Sequence, residues 1–403
     1  MWSASFPLLD CAPLAAAAAL GFAEQEGIDL TLMRETSWAN IRDRVVVGHF
    51  DAAHMLGPMP IAATLGIGHL KVPMAAPLAL GRGGNAITVS AALWEAMSEH
   101  GARIGGSAQL QGEALRRAVQ VRRDAGRSIL TFAVVYPFSS HNYLLRYWLH
   151  SSGIDPDRDV HLVVIPPPML VDAMREAQID GFCVGEPWSS VAVASSVGSI
   201  ALPTTTIWAR SPEKVLAGRL EWCQRNPALL QSLIRAVHRA AQWCEEPQNQ
   251  DQLAHLLAEP RYVGAPSEIL LRGLQNRLVL DPGAAACDVP GFYEIERGSA
   301  TVPRVDHALW FYSQMVRWGQ VAHTQENAQK AASSYRPDLY RAALSGMGMP
   351  VPGASSKIEG ALTEPTQVGA LGGRLTLGPD GFFDGTDFDP DKLDAYIAAQ
   401  AQR

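Results

Sequence analysis

The chain has 403 residues, of which 47% are hydrophobic and 18% charged, and its formal net charge is −7. This length exceeds what one compact core needs and favours two lobes, while the apolar fraction excludes a largely disordered chain. The acidic balance argues against direct nucleic-acid binding, which needs a basic face. The five cysteines form no CxxC motif or Cys/His cluster. An odd number without such motifs argues against disulfides and a zinc site, and favours a reducing compartment.

The first residues bear on the location of the protein. Leu14–Leu20 is rich in alanine and resembles the apolar part of a signal peptide, but no Lys or Arg precedes Arg34. Asp10 beside Cys11 is unsuited to a lipoprotein cleavage site. No apolar run reaches the ~20 residues of a membrane span. We therefore expect a cytoplasmic protein that does not insert into a membrane.

Strands and helices alternate along the first half of the chain, which predicts an α/β fold with largely parallel sheets. In the first unit the predicted strands and helices are Phe6–Leu9, Ala12–Glu26, Ile28–Met33, Trp38–Val47 and Phe50–Leu56. A second unit begins near Gly81. Its predicted elements are Ala86–Ser90, the helical region Ser98–Arg127, Leu130–Tyr136, Asn142–His150, His161–Ile165, Met169–Gln178 and Gly181–Val184.

The chain is predicted to return to the first unit near Ile207–Ala209. The pattern of Ser211–Lys214 then predicts a helix N-terminus, with Ser211 as the cap and Pro212 in the first turn. Helices are expected to about Leu344, followed by a loop-like tail rich in Gly and Pro and a last helix at Asp391–Ala401. The predicted domains are residues 1–80 with 206–403 as the first lobe, which includes the helical part and the tail, and 81–205 as the second.

Known catalytic motifs are absent from the sequence: it has no GxSxG elbow, P-loop, HExxH or GxGxxG. The glycines at 81–84 precede a strand and indicate an ordinary turn. Ser140 and His141 are adjacent on a helix start and cannot form a direct nucleophile–base pair. Ser139 or Ser140 is expected to cap the helix that begins at Asn142. We therefore predict no enzyme, catalytic residue, metal or cofactor.

Two strand ends have the features of an anion site. The strand before Pro137 leads into a helix N-terminus at His141, which places free N–H groups at the carboxyl edge of the sheet. Gly185 follows another strand and lets backbone approach a ligand closely. Taken alone, Trp38 and Lys214 fit a core tryptophan and a surface lysine better than ligand contacts. Trp188 fits a core position or a cleft wall equally well.

Seven strings, in order along almost the whole chain, resemble the nitrate- and bicarbonate-binding proteins of the NrtA/CmpA/NasS type. They are Asp10–Leu14, Ser37–Asp43, Asp51–Leu56, His141–Trp148, Gly185–Trp188, Pro212–Lys214 and Phe382–Gly385. The resemblance implies a type II periplasmic-binding-protein fold, with two α/β lobes joined by a hinge and a ligand cleft between them. It implies ligand contacts at five positions: Trp38, Asn85, His141, Gly185 and Lys214. At Asn85 the family commonly has the longer Gln.

The resemblance also suggests a ligand and a partner. Bicarbonate binders lack the lysine at the position of Lys214, so nitrate is expected, with nitrite as a second ligand. The leaderless members are cytoplasmic nitrate sensors of the NasS type, which implies an RNA-binding antiterminator of the ANTAR type (NasT-like) as the partner. Three alternatives stay open: the substrate-binding component of a nitrate ABC transporter, a bicarbonate binder, and an enzyme, since relatives of this fold make the thiamine pyrimidine.

Overall fold

A computed structural model describes residues 1–68 and 70–400, and its main strands form two five-stranded sheets. The strands of the first sheet lie in the order Thr31–Arg34, Trp2–Ser5, Ala52–Leu56, Lys214–Arg219, Met74–Ala79. Those of the second lie in the order Gly198–Pro203, Asn85–Ser90, Gly181–Gly185, Leu130–Val134, Val160–Val164. Helices pack against both sheets, so the α/β class and the two-lobed architecture are confirmed.

Each sheet is mixed and not largely parallel. Trp2–Ser5 runs parallel to both of its neighbours, whereas Lys214–Arg219 runs antiparallel to its own. In the second sheet Asn85–Ser90 is likewise antiparallel to both neighbours. Both antiparallel strands enter their sheet directly from the other sheet, without the long helical crossover that a parallel connection needs.

Two short segments connect the sheets. Residues 80–84 join the strand Met74–Ala79 to Asn85–Ser90, and residues 204–213 join Gly198–Pro203 to Lys214–Arg219. We call them the first and second crossover. The predicted domain boundaries at 80/81 and 205/206 stay a prediction, and residues 401–403 of the predicted first lobe lie outside the described part of the chain.

The α-helices account for much of the rest of the described chain. They are Ala12–Ala19, Phe22–Gln25, Trp38–Val46, Pro58–Leu65, Ala91–Ser98, Ala108–Asp124, Ser140–Ser151, Leu170–Arg175, Trp188–Ala194, Leu220–Arg225, Pro227–Glu245, Gln250–Ala258, Ser267–Leu274, Val305–Arg317, Gln325–Ser333, Pro337–Leu344 and Leu393–Gln400. Within residues 1–68 and 70–400, none of these helices combines the length and apolar character that a bilayer crossing requires.

The prediction that Ser211–Lys214 begins a helix is wrong, because Lys214 is the first residue of a buried strand. The strand Lys214–Arg219 pairs on both sides, with Ala52–Leu56 and with Met74–Ala79. At Gly218 an added Cβ would lie 2.7 Å from the Asp51 carbonyl oxygen, so glycine allows the close approach. Pairing with two distant strands outweighs the local capping pattern.

Three further predictions need correction. The strand predicted at Phe6–Leu9 lies earlier, at Trp2–Ser5, and the helix predicted at Ala12–Glu26 is interrupted at Gly21, whose φ is +82°. The tail contains a three-stranded sheet where a loop was expected. The strands of this sheet are Val351–Pro352, Thr366–Leu371 and Gly373–Leu377. Two further sheets of two short strands each pair Arg277–Leu278 with Cys287–Asp288 and Tyr293–Glu294 with Arg82–Gly83. Of the last predicted helix, Ala401 lies outside the described residues.

The C-terminal tail packs against both lobes. Phe382 stacks on Trp208 of the second crossover, with ring centroids 4.5 Å apart. Two residues later, Asp384 accepts a hydrogen bond of 2.9 Å from the Tyr147 hydroxyl, on a helix of the second lobe. The tail therefore joins the crossover region to the second lobe at one edge of the molecule.

Candidate functional site

Lys214 lies at the centre of a buried polar cluster between the two sheets. Its side chain is fully buried, and its Nζ lies 2.8 Å from Asp10 Oδ2 and also contacts the Glu213 carboxylate. Burial by itself lowers the pKa of this ammonium group, but Asp10 and Glu213 outweigh burial and hold the pKa above its usual value. Lys214 is therefore a charged ammonium paired with two carboxylates.

Asp10 is held from the opposite side by His54. The Asp10 Oδ1 atom lies 3.0 Å from His54 Nε2, and His54 Nδ1 accepts a 3.3 Å hydrogen bond from the Phe6 backbone N–H. Because Nδ1 acts as an acceptor, the ring proton is on Nε2 and faces Asp10. Burial raises the pKa of Asp10, but Lys214 and His54 bring it well below its usual range.

Glu213 connects the lobes through its carboxylate. Oε2 accepts a 2.6 Å hydrogen bond from Asn85 Nδ2 and a second one from the Ser140 hydroxyl. Oε1 contacts Lys214 and lies 3.5 Å from His141 Nε2. Burial raises the pKa of this carboxyl, but Lys214 and His141 outweigh burial and hold it below its usual value. Glu213 is thus an ionised carboxylate with a donor at each oxygen.

Trp38 forms the apolar wall of the cluster. It is the first residue of its helix, after the cap Ser37, and its ring stacks on Phe6 with centroids 4.0 Å apart and an interplanar angle of 7°. Lys214 Nζ lies 5.8 Å from the centre of the ring. The indole Nε1 is buried and has no hydrogen-bond partner among the described residues. A buried N–H without a partner is costly unless a ligand accepts from it.

His141 is the second residue of the helix Ser140–Ser151 in the second lobe. Ser139 caps this helix, as expected, by accepting a 3.0 Å hydrogen bond from Asn142 N, and Ser140 is free to donate to Glu213. Burial lowers the pKa of His141 to about 4, so the ring is neutral at pH 7. Within the described chain neither ring nitrogen has a hydrogen-bond partner. His141 therefore offers an unused N–H donor.

Gly185 faces the cluster at the end of its strand. A Cβ added here would lie 3.1 Å from Asn85 Oδ1 and 3.6 Å from Asp10 Oδ2. Only a glycine leaves this space between the lobes open. Trp188, three residues later, is half-buried and donates its indole N–H to the Pro7 carbonyl at 3.0 Å. Trp188 therefore belongs to the contact between the lobes.

The five residues predicted to bind the ligand thus meet in one cluster. Trp38 and Lys214 come from the first lobe, and Asn85, His141 and Gly185 from the second. The prediction missed four members: Asp10, His54, Ser140 and Glu213. Asp10, His54 and Glu213 lie inside the sequence strings that carry the family resemblance. Their place in those strings is the sequence signal that could have identified them as members of the site. All nine residues are buried, so a ligand reaches them only when the lobes move apart.

The cluster suits binding better than bond-breaking chemistry. It gathers an ammonium, an indole N–H, an amide and an imidazole in one buried cluster, and such donors bind an oxyanion. A separate buried group, Asp306, His307 and Glu359, has its potential ligand atoms within 4.8 Å of one another. Lys357 Nζ already lies 2.8 Å from Glu359 Oε2 there. That group therefore pairs its charge with a lysine of the tail.

A sequence model of the NMT1-like family matches residues 4–258, more than half of the chain. The chain belongs to the NMT1-like family. It is 31% identical over 400 residues to the nitrate/nitrite binding protein NrtA of Synechococcus elongatus, covering 97% of this chain and 83% of NrtA. It is 30% identical over 415 residues to the bicarbonate-binding protein CmpA of a Synechococcus strain, covering 97% and 84%.

Other relatives of this NMT1-like protein are longer. It is 34% identical over 346 residues to the nitrate import ATP-binding protein NrtC of Synechocystis, a match that covers 85% of this chain and half of NrtC. Among solved structures it resembles the periplasmic nitrate-binding protein NrtA from Synechocystis, with a TM-score of 0.86 at 25% identity, covering 99% of this chain and 97% of NrtA. The periplasmic-binding-protein fold is thereby confirmed.

Proposed function

We propose that this protein binds nitrate, with nitrite as a second ligand, in the cleft between its lobes. The observation that carries the proposal is the buried cluster itself, which both lobes build and in which Trp38 and His141 hold N–H donors without a protein partner. Nitrate accepts hydrogen bonds and has no proton to donate, so it matches a set of donors. The similarity to the nitrate/nitrite binding protein NrtA supports the same ligand.

Bicarbonate is the second candidate, because Glu213 adds an acceptor to the cluster. The hydroxyl of bicarbonate can donate to a carboxylate, whereas nitrate cannot. Lys214 is weaker support for nitrate than the sequence suggests, since the two carboxylates of Asp10 and Glu213 already more than offset its charge. The similarity to the bicarbonate-binding protein CmpA also supports this candidate.

Calorimetric titration with nitrate, nitrite and bicarbonate tests the proposal. We expect the wild-type protein to bind nitrate, and Lys214→Ala to lose that binding, because Lys214 carries the positive charge of the cluster. Lys330→Ala is the matched control, since Lys330 pairs with Glu326 on a partly exposed helix face outside the cluster. Unchanged nitrate affinity in Lys214→Ala would refute the assignment of Lys214. Stronger binding of bicarbonate than of nitrate would favour the second candidate.

We further propose that a partner protein distinguishes the open cleft from the closed one, and that the protein is a cytoplasmic sensor. Contacts formed from both lobes give the ligand a higher affinity for the closed state. A partner that binds the open state is then released, and the resemblance to NasS-type sensors supports an ANTAR-type antiterminator in this role. The alternative, the binding component of a nitrate ABC transporter, is supported by the similarity to NrtA and to the import protein NrtC.

Fractionation and co-purification distinguish the two roles. A sensor is expected in the cytoplasmic fraction, bound to the antiterminator without nitrate and released when nitrate is added. Recovery of the native protein from the periplasm, or capture by a nitrate permease, would contradict the sensor role. Either result would leave the proposal of nitrate binding unaffected.

A further inference from the structure

The Glu213 carboxylate lies where an external anion is expected. Of the five residues predicted to contact the ligand, three already contact this carboxylate: Asn85, His141 and Lys214. A carboxylate and a nitrate ion are both planar and carry one negative charge spread over oxygen atoms. Glu213 therefore serves as an internal anion that holds the lobes together from within the chain.

The charges of the cluster make a second anion costly. Lys214 supplies one positive charge, and Asp10 and Glu213 supply two negative ones. His54 Nδ1 accepts a hydrogen bond from the Phe6 N–H and therefore carries no proton, and burial keeps His141 neutral at pH 7. The cluster thus has an excess of one negative charge before any ligand enters. A bound nitrate would raise this excess to two in a site closed to water, where unpaired charge is strongly unfavourable.

We propose that Glu213 couples anion binding to proton uptake, so that each nitrate enters the closed cluster together with one proton that converts the Glu213 carboxylate to its acid form. This inference rests on the proposed function. The proton comes from hydronium or the protonated buffer while the lobes are apart: the donor's bond to the proton breaks, the O–H of the Glu213 acid forms, and the donor's conjugate base stays in the solvent. The acid keeps a carbonyl oxygen that accepts from Asn85 or Ser140, and its new O–H donates to a nitrate oxygen.

Glu213 is the group in this cluster that takes the proton, because its partners are the ligand donors themselves. Asp10 keeps its own pair with Lys214 and His54, which nitrate need not disturb. The Tyr335 hydroxyl donates to the Gly57 carbonyl at 3.1 Å and remains a neutral donor. The titratable and charged groups that face Glu213 or interact with its charge are Lys214, Asp10, His141, Tyr335 and Cys183. His54 faces Asp10 and not Glu213.

Titration calorimetry in buffers of different ionisation enthalpy counts the protons taken up with nitrate. For the wild-type protein we expect about one proton per nitrate at pH 7, with an affinity that falls about tenfold per pH unit between pH 6 and 8, the limit for full coupling to one proton. Glu213→Gln is expected to bind nitrate without proton uptake and with a pH-independent affinity that exceeds the wild-type value at pH 8.

Glu294→Gln is the matched control, because Glu294 is also a buried glutamate with a cationic partner, Arg210, but lies outside the cluster. We expect it to retain the wild-type proton count. Nitrate binding by the wild type without proton uptake, or by Glu213→Gln with undiminished uptake, would overturn the inference and leave the proposed function standing. The number of protons that the wild type takes up per nitrate tests the inference even if Glu213→Gln fails to fold. Absence of nitrate binding by the wild type from pH 5 to 8 would refute both.

Discussion

Asn85 donates a 2.6 Å hydrogen bond to Glu213, and these two residues stand at the ends of the two crossovers. Asn85 is the first residue after the first crossover, and Glu213 is the last residue of the second. The two chain segments about which the lobes rotate are therefore tied together inside the ligand cluster. An anion that competes with Glu213 for its hydrogen-bond donors therefore acts directly on residues at the ends of the hinge segments. No other residues are needed to transmit the effect of binding to the hinge.

Trp38→Phe is expected to weaken nitrate binding about tenfold or more while leaving the fold intact. Phenylalanine can keep the stacking on Phe6 but lacks the indole N–H, and a hydrogen bond to a charged group contributes ~1.5–3 kcal/mol. Calorimetry measures the affinity, and urea unfolding measures the stability. An affinity equal to that of the wild type would show that the Trp38 N–H does not reach the ligand.

Gly185→Ala tests the space at the centre of the cluster. The new methyl group would lie 3.1 Å from Asn85 Oδ1, so the amide must shift away from its present position. The backbone at Gly185 is not left-handed, and alanine therefore adds no backbone strain. We expect at least a tenfold loss of nitrate affinity with a small change in the free energy of unfolding. Gly264→Ala, at a surface turn, is expected to show the reverse, a loss of stability at unchanged affinity.

Lys214→Met is expected to lower the free energy of unfolding by ~3–5 kcal/mol, because it leaves Asp10 and Glu213 buried without their cation. Adding Asp10→Asn and Glu213→Gln to this variant removes both charges and should restore much of the stability. Urea unfolding of the single and triple variants measures the difference. If the triple variant is no more stable than the single one, the unpaired charges are not the cause of the loss.

Parts of this site could be predicted from the sequence because they depend on local patterns. The helix at Trp38 follows from the cap Ser37 and the stop near Gly48, and the cap Ser139 places His141 at a helix start. Contacts that depend on tertiary structure could not be predicted. Glu213 meets Asn85 across 128 residues of chain, and the strand that begins at Lys214 requires two distant partners.

The pH dependence of stability should change in Glu186→Gln. Burial raises the pKa of Glu186 to about 7 from its ordinary value near 4.5. Between these values the folded protein binds more protons than the unfolded one, so this group's contribution to stability is present at low pH and is lost as pH rises to 7. Glutamine imitates the neutral acid. The variant should be more stable than the wild type at pH 8, by up to about 3 kcal/mol, and nearly equal at pH 4.5.

Thermal or urea unfolding at the two pH values checks this expectation. The backbone carbonyl of Glu186 accepts from Leu9 N at 2.8 Å in either variant, so the contact between the lobes is preserved. A variant that is less stable than the wild type at pH 8 would show that the Glu186 carboxylate finds a compensating partner in solution.

The tail restricts how the cleft can open. Phe382 packs on Trp208, and Asp384 accepts from Tyr147, with a single residue between them. A chain of that length spans about 7 Å at most. While both contacts hold, the lobes cannot separate far along this edge. We therefore expect the lobes to part more at the edge opposite the tail than along the edge that the tail holds.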